Sequence, residues 1–184
     1  VKKKTEYKLP TKPMLYIAYG SNINLPQMEF RCPHSEVVGT AMVKDWELEF
    51  RGVATIVSKK GAEVPVLLWM LDPRDLPALN RYEGWPHLYR QEEIELEVDG
   101  KPVVGMAYLM NRGEISPPSQ GYLQTIWDGY KQNDMDTSYL VEAAARAYNY
   151  ASEMNLSQEE ELDEEIEEDE DFGLDDDLQM SFKM

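Results

Sequence analysis

The chain is 184 residues long, room for one domain with a sizeable core, and its formal net charge is −17. That charge is concentrated: Ser152 to Met184 holds fifteen Asp and Glu against Lys183, a net of −14, so residues 1–151 carry about −3. A nearly balanced body whose basic cluster is the terminal Lys2-Lys3-Lys4 argues against nucleic acid as a partner, because backbone phosphates require clustered Lys and Arg. Cys32 is the single cysteine, which excludes an intrachain disulfide and points to a reduced intracellular thiol. The opening "VKKKTEYKLPTKP" lacks the apolar centre of a signal peptide, and no apolar run approaches the roughly 18 residues of a membrane-crossing helix. A soluble, cytoplasmic protein without a membrane partner is expected, with monomer and homodimer both open.

Three regions follow: an N-terminal extension over 1–13, a folded domain over 14–151, and an acidic tail over 152–184. "MLYIAY", residues 14–19, is an almost wholly apolar run that predicts a strand buried on both faces. It stops on Gly20-Ser21-Asn22. Asn24 then reads as an N-cap, with Pro26 in the first turn of a short helix ending near Arg31. "VVGTAMVKDWELEF" predicts a half-buried strand with Trp46, Leu48 and Phe50 on one face. "VATIVS" and "VPVLLWML", separated by the turn-like "KKGAE", predict a hairpin.

"DPRDLPALNRYEG" predicts a helix with Asp72 as N-cap, Pro73 at its first position and Gly84 as its stop. "RQEEIELEV" and "VVGMAYLM" flank Asp99-Gly100, a strong hairpin signal. Two helices come next, one with Tyr122, Ile126, Trp127 and Tyr130 on a shared face. The other starts near Thr137 and buries Leu140, Ala143, Ala144, Ala147 and Ala151. Hairpin-linked strands that outnumber the helices predict an α+β fold with a mixed, strongly curved sheet or barrel. The tail offers Ser157 and Glu160 as a capping box, but its crowded like charges predict disorder or a weak helix.

Several chemistries fail on their neighbours. A serine nucleophile elbow needs Gly two residues either side, and Ser21 has Tyr19 and Ile23 there. Two histidines and one cysteine, with no ligand-like spacing beyond Cys32 and His34, do not make a metal site. "YGSNINLPQ" has one glycine and no lysine, so it is not a phosphate loop. Two readings of Gly20 to Asn22 remain: a plain turn, or backbone N–H groups forming an anion-binding nest. Glu83 is the other candidate. It stands at the carbonyl end of its helix, where a carboxylate is disfavoured, among Tyr82, Trp85 and Tyr89. Both influences push its pKa upward, toward the range of a general acid/base; the alternative is a tolerated surface glutamate.

Taken in order, "YIAYGSN", "GVATI", "VLLWML", "LNRYEGWPHLYR", "AYLM" and "PPSQGY" resemble the γ-glutamyl cyclotransferase family, including its AIG2-like branch, over about residues 14–150. The resemblance implies a small mixed β-barrel with flanking helices. It also implies an enzyme that cleaves a γ-glutamyl amide by intramolecular attack of the α-amine, releasing 5-oxoproline and a free amine. No metal or cofactor is implied, and the partner is a small γ-glutamyl molecule. By the same resemblance Glu83 is the catalytic acid/base. Tyr16, Ile17, Ala18, Tyr19, Gly20, Ser21 and Asn22 form the substrate-binding segment, joined by Tyr122 and Tyr89. "PPSQGY" resembles the branch acting on γ-glutamyl amino acids, whereas "EGWPHLYRQ" resembles the branch acting on γ-glutamylamines. A second reading is a non-catalytic module of the same fold that binds a small acidic metabolite, or a partner through the acidic tail.

Overall fold

The computed structural model describes residues 9–171, with side chains through Gln158. The elements are β1 (Met14–Ala18), a 3-10 turn (Ser21–Ile23), α1 (Leu25–Arg31), β2 (Glu36–Arg51), β3 (Val53–Leu71), α2 (Leu76–Tyr82), β4 (Tyr89–Val98), β5 (Lys101–Met110), α3 (Gln120–Gln132) and α4 (Ser138–Asp171). The five strands form one sheet in the order β2-β3-β1-β5-β4. Only the β1–β5 pairing, through Tyr16 and Met106, is parallel; the other neighbours are antiparallel. This is the expected α+β class with a mixed sheet. The sheet is strongly curled: β2 and β4, its two edges, come into contact although they are not hydrogen-bonded neighbours.

β1 lies at the centre because its apolar side chains can be covered from both sides. Ile17 and Ala18 are fully buried, and Met14 to Ala18 pair with Leu71 to Leu67 of β3. Each large side chain so buried contributes about 1.5–3 kcal/mol. Leu48 and Phe50 of β2 are buried and Trp46 packs against them, as the alternation in that segment requires. Asp99 and Gly100, both at positive φ, turn β4 into β5.

Three expectations are corrected. "VATIVS" and "VPVLLWML" do not form a hairpin with each other; they are consecutive halves of β3, both paired with β2. Trp46 opposes Ser58 and Lys44 opposes Glu63, so residues 59–62 form a bulge facing Asp45. The turn chemistry serves that bulge, since Asp45 and Gly61 take positive φ and the Gly61 N–H donates to Asp45 Oδ1 at 2.8 Å. Second, α2 begins at Leu76, and Asp72 instead holds a preceding turn by accepting from the Arg74 N–H at 2.9 Å. Third, Ser157 caps nothing: it lies inside α4 and its hydroxyl donates to the Glu153 carbonyl at 3.0 Å. α4 also crosses the expected boundary at residue 151 without a break, as far as Asp171. Residues 172–184 of the acidic tail, and Lys2-Lys3-Lys4, lie outside the described residues.

α3 anchors the turn after β1. The Leu25 N–H donates to Gln132 Oε1 at 2.8 Å, Asn24 Nδ2 to the Thr125 carbonyl at 3.1 Å, and Asn133 Nδ2 to the Ile23 carbonyl at 3.1 Å. Gly129 permits this approach, because a Cβ there would stand 2.8 Å from the Asn24 backbone nitrogen and 2.9 Å from the Ile23 carbonyl carbon. Gly129→Ala should therefore cost about 2 kcal/mol in urea unfolding. Gly121→Ala, in the same helix with open space around it, should be neutral or stabilise by less than about 1 kcal/mol. Equal stabilities for the two variants would contradict a close-packed α3.

Candidate active site

The turn after β1 and the end of α2 meet across one recess. Its walls include Tyr16, Tyr19, Gly20, Ser21 and Asn22 from the β1 side and Glu83 from the α2 side. Tyr89, Tyr108, Tyr122 and Ala54 complete it. Most of the expected site residues, some sixty positions apart in sequence, are thus brought together. Ile17 and Ala18 are not among the lining residues: Ile17 is buried against Gly105 of β5, and Ala18 is buried within the strand.

Glu83 follows the last residue of α2, and its N–H still donates to the Leu79 carbonyl at 3.0 Å. Gly84, at φ 62°, ends the helix in a left-handed conformation that a side chain would strain. The backbone therefore fixes where the carboxylate begins. Its Oε1 accepts from Asn22 Nδ2 at 2.7 Å, and the same nitrogen donates to the Tyr16 hydroxyl at 2.8 Å. Burial pushes the Glu83 carboxyl up to about 7 against the 4.5 of an exposed glutamate. Arg31 and the hydrogen bonds from Asn22 and Tyr16 pull the other way but do not overcome it.

Tyrosines supply the rest of the wall. The Tyr89 hydroxyl donates to the Ala54 carbonyl at 2.6 Å, while the Ala54 N–H donates to the Tyr122 hydroxyl at 3.1 Å. One residue of β3 thereby positions two phenols. Tyr19 donates to the Tyr108 carbonyl, and Ser21 Oγ lies 2.8 Å from the Tyr82 hydroxyl. Burial drives Tyr16, Tyr19, Tyr89 and Tyr122 well above the usual tyrosine range, so they remain neutral donors. Gly20 has no side chain to intrude; a Cβ would stand 3.3 Å from the Tyr122 hydroxyl. Ser21 and Asn22 open the 3-10 turn, where backbone N–H groups have no partner within the turn.

Ala54 and Arg31 were not assigned to the site from sequence. Ala54 acts through its backbone, which no side-chain pattern announces. Cys32 and His34 do not join the recess: Cys32 is buried, its thiol pushed up to about 12 by burial, and His34 Nδ1 lies 2.8 Å from the buried Asp75.

Similarities to known proteins agree with this geometry. Residues 16–132 match the family model described as "Gamma-glutamyl cyclotransferase, AIG2-like". The chain is 30% identical over 139 residues to the gamma-glutamylcyclotransferase of Homo sapiens, covering 68% of this chain and 74% of that protein, and equally so to that of Mus musculus. A solved gamma-glutamyl cyclotransferase superposes with a TM-score of 0.66 at 28% identity over 73% of this chain and 88% of the other. YkqA of Bacillus subtilis, 21% identical with a TM-score of 0.61 over 74% of this chain and 54% of its own, shares the fold. The chain belongs to the γ-glutamyl cyclotransferase, AIG2-like family. Among the described residues, no helix is long and apolar enough to cross a membrane.

The raised carboxyl has a thermodynamic consequence. Between pH 4.5 and about 7 the folded protein keeps a proton that unfolded Glu83 loses, so this group's contribution to stability falls as pH rises through that window. Glu83→Gln removes the effect. Its stability relative to the unsubstituted protein should rise by up to about 3 kcal/mol between pH 4 and pH 8, measured by urea unfolding at each pH. A difference that does not change with pH would contradict a buried carboxylate.

Proposed function

We propose that the chain is a γ-glutamyl cyclotransferase in which Glu83 is the general acid/base. The observation that carries this reading is the meeting of Glu83, at about 7, with the Gly20-Ser21-Asn22 turn across one recess. The γ-glutamyl α-amine is largely protonated at neutral pH and is not nucleophilic until it loses a proton. Ionised Glu83 takes that proton as the nitrogen attacks the γ-carbonyl carbon. A new N–C bond closes the five-membered ring, the old amide C–N bond breaks as Glu83 returns the proton to the departing nitrogen, and the ring nitrogen's second proton passes to the released amine, which leaves as an ammonium. The products are 5-oxoproline and a free amine or amino acid.

Nucleophile and electrophile belong to one molecule, so holding the substrate folded back supplies much of the acceleration. The tyrosine wall, with Tyr89 and Tyr122 fixed through Ala54, suits that role. The N–H groups opening the 3-10 turn face the substrate's anionic atoms: its α-carboxylate or the oxygen that gains charge during attack. The proposed substrate is a γ-glutamyl amide of an amino acid or of an amine. The family and the relatives support the activity; the geometry and electrostatics of Glu83 support its reading as the base.

Incubation with γ-glutamyl amino acids, γ-glutamyl-lysine and glutathione should release 5-oxoproline from at least one of them. Glu83→Gln should lower kcat by about a hundredfold to ten-thousandfold. Protonated Glu83 cannot accept a proton, so kcat/KM should rise about tenfold per pH unit below 7 and level off above it. Release no greater than that of Glu83→Gln on every substrate would contradict the proposal.

A further inference from the structure

We propose that Arg31 is a positioning residue of this site: its guanidinium holds the Asn22 amide in the one orientation that presents both N–H bonds to Tyr16 and Glu83. The inference rests on the reading of Glu83 as the base and extends it to a residue outside the recess lining. The side-chain amide of Asn22 is fully engaged. Nδ2 donates to Tyr16 and Glu83 at 2.8 and 2.7 Å, and Oδ1 accepts from Arg31 Nη1. Turned over, the amide would set its oxygen against the Glu83 carboxylate and its N–H bonds against a guanidinium, two repulsive contacts in place of two attractive ones. Arg31 thus fixes the polarity of the group that holds the base.

The guanidinium is itself held. Its central carbon lies 3.3 Å from the centroid of the Tyr82 ring, and the Tyr82 hydroxyl lies 2.8 Å from Ser21 Oγ. Arg31 therefore ties the end of α1 both to the turn after β1 and to the end of α2. A planar cation can stack on a ring and donate at its edge together, which an ammonium cannot do in this geometry. The groups acting on Glu83 come from each element around it: Tyr16 of β1, Asn22 of the 3-10 turn, and Arg31 of α1. Cys32, Tyr19, Tyr89 and Tyr122 feel its charge and are neutral in the working range. Among these Arg31 is the cation, and it opposes the upward push of burial.

Arg31→Leu and Arg31→Lys should be compared with the unsubstituted protein by two readouts. One is the pH profile of 5-oxoproline release; the other is the 13C titration of the Glu83 carboxyl, assigned with Glu83→Gln. Arg31→Leu should move both the acid limb of kcat/KM and the carboxyl titration upward by about one pH unit. It should also lower the high-pH plateau of kcat by about tenfold to a hundredfold. Arg31→Lys should leave the titration near its original position and recover part of the plateau. If Arg31→Leu does not fold, Arg31→Gln, which removes the charge and keeps a donor, takes its place. An unmoved Glu83 titration, or a plateau unchanged in Arg31→Leu, overturns the inference. The carboxyl titration needs no turnover: if the unsubstituted protein releases no 5-oxoproline, the proposed function falls, and the titration alone decides what Arg31 does to Glu83.

Discussion

The Asn22 amide is the joint on which the site depends. Its nitrogen binds Tyr16 and Glu83 while its oxygen receives Arg31, so one small side chain joins β1, α1 and the end of α2. The joint also resolves an electrostatic conflict. A carboxylate at the carbonyl end of a helix and half-buried among aromatic rings is costly to ionise. Two hydrogen-bond donors and a cation relieve that cost only in part, which leaves Glu83 at about 7, able to accept and return a proton near neutrality. A stronger set of donors would hold it ionised and make it a poor proton donor; a weaker one would leave it protonated and unable to act as a base.

The fold's task is to keep that joint still. β1 is the central strand, buried on both faces, and the turn follows directly from it. Below the turn, Gly129 lets α3 approach close enough for Asn24 and Asn133 to bond across the gap, and the Trp69 indole N–H donates to the Asn22 carbonyl at 3.1 Å. On the far side, Gly84 ends α2 abruptly and sets the start of the Glu83 side chain. Asp75 at the other end of that helix is buried and accepts from the His34 N–H and from Ser35 Oγ, which pins the segment after α1. The rigid elements thus bear on the turn, on α1 and on α2, the three places whose separation decides whether Asn22 can bridge them.

What could be read in the sequence was local. The continuous apolar run of β1, the Asn24 cap, the Asp99-Gly100 turn and the glycine after Glu83 are each written within a few residues, and each is found. The carboxylate at the wrong end of its helix was visible for the same reason. The errors came where local chemistry has more than one use. Lys59 to Glu63 has the composition of a hairpin turn, but residues 59–62 form a bulge, because β2 is long enough to pair with both halves of β3. Asp72-Pro73 resembles a helix start but serves one turn earlier, since the chain needs that turn to bring buried Asp75 to His34 and Ser35. Arg31 and Ala54 were missed because their parts in the site exist only through contacts between distant segments. Ile17 and Ala18 show the converse: they belong to the motif that carries the family resemblance, and their work here is to bury the strand that holds its neighbours.

The most direct test of Glu83 as the base is a crystal structure of Glu83→Gln with an intact γ-glutamyl amino acid bound, the substitution serving to stop turnover. The substrate's α-nitrogen should lie within about 3.2 Å of the residue 83 side chain, with its anionic atoms toward the Gly20 to Asn22 backbone. A substrate whose α-nitrogen faces away from residue 83, or that sits outside the recess, would contradict the assignment.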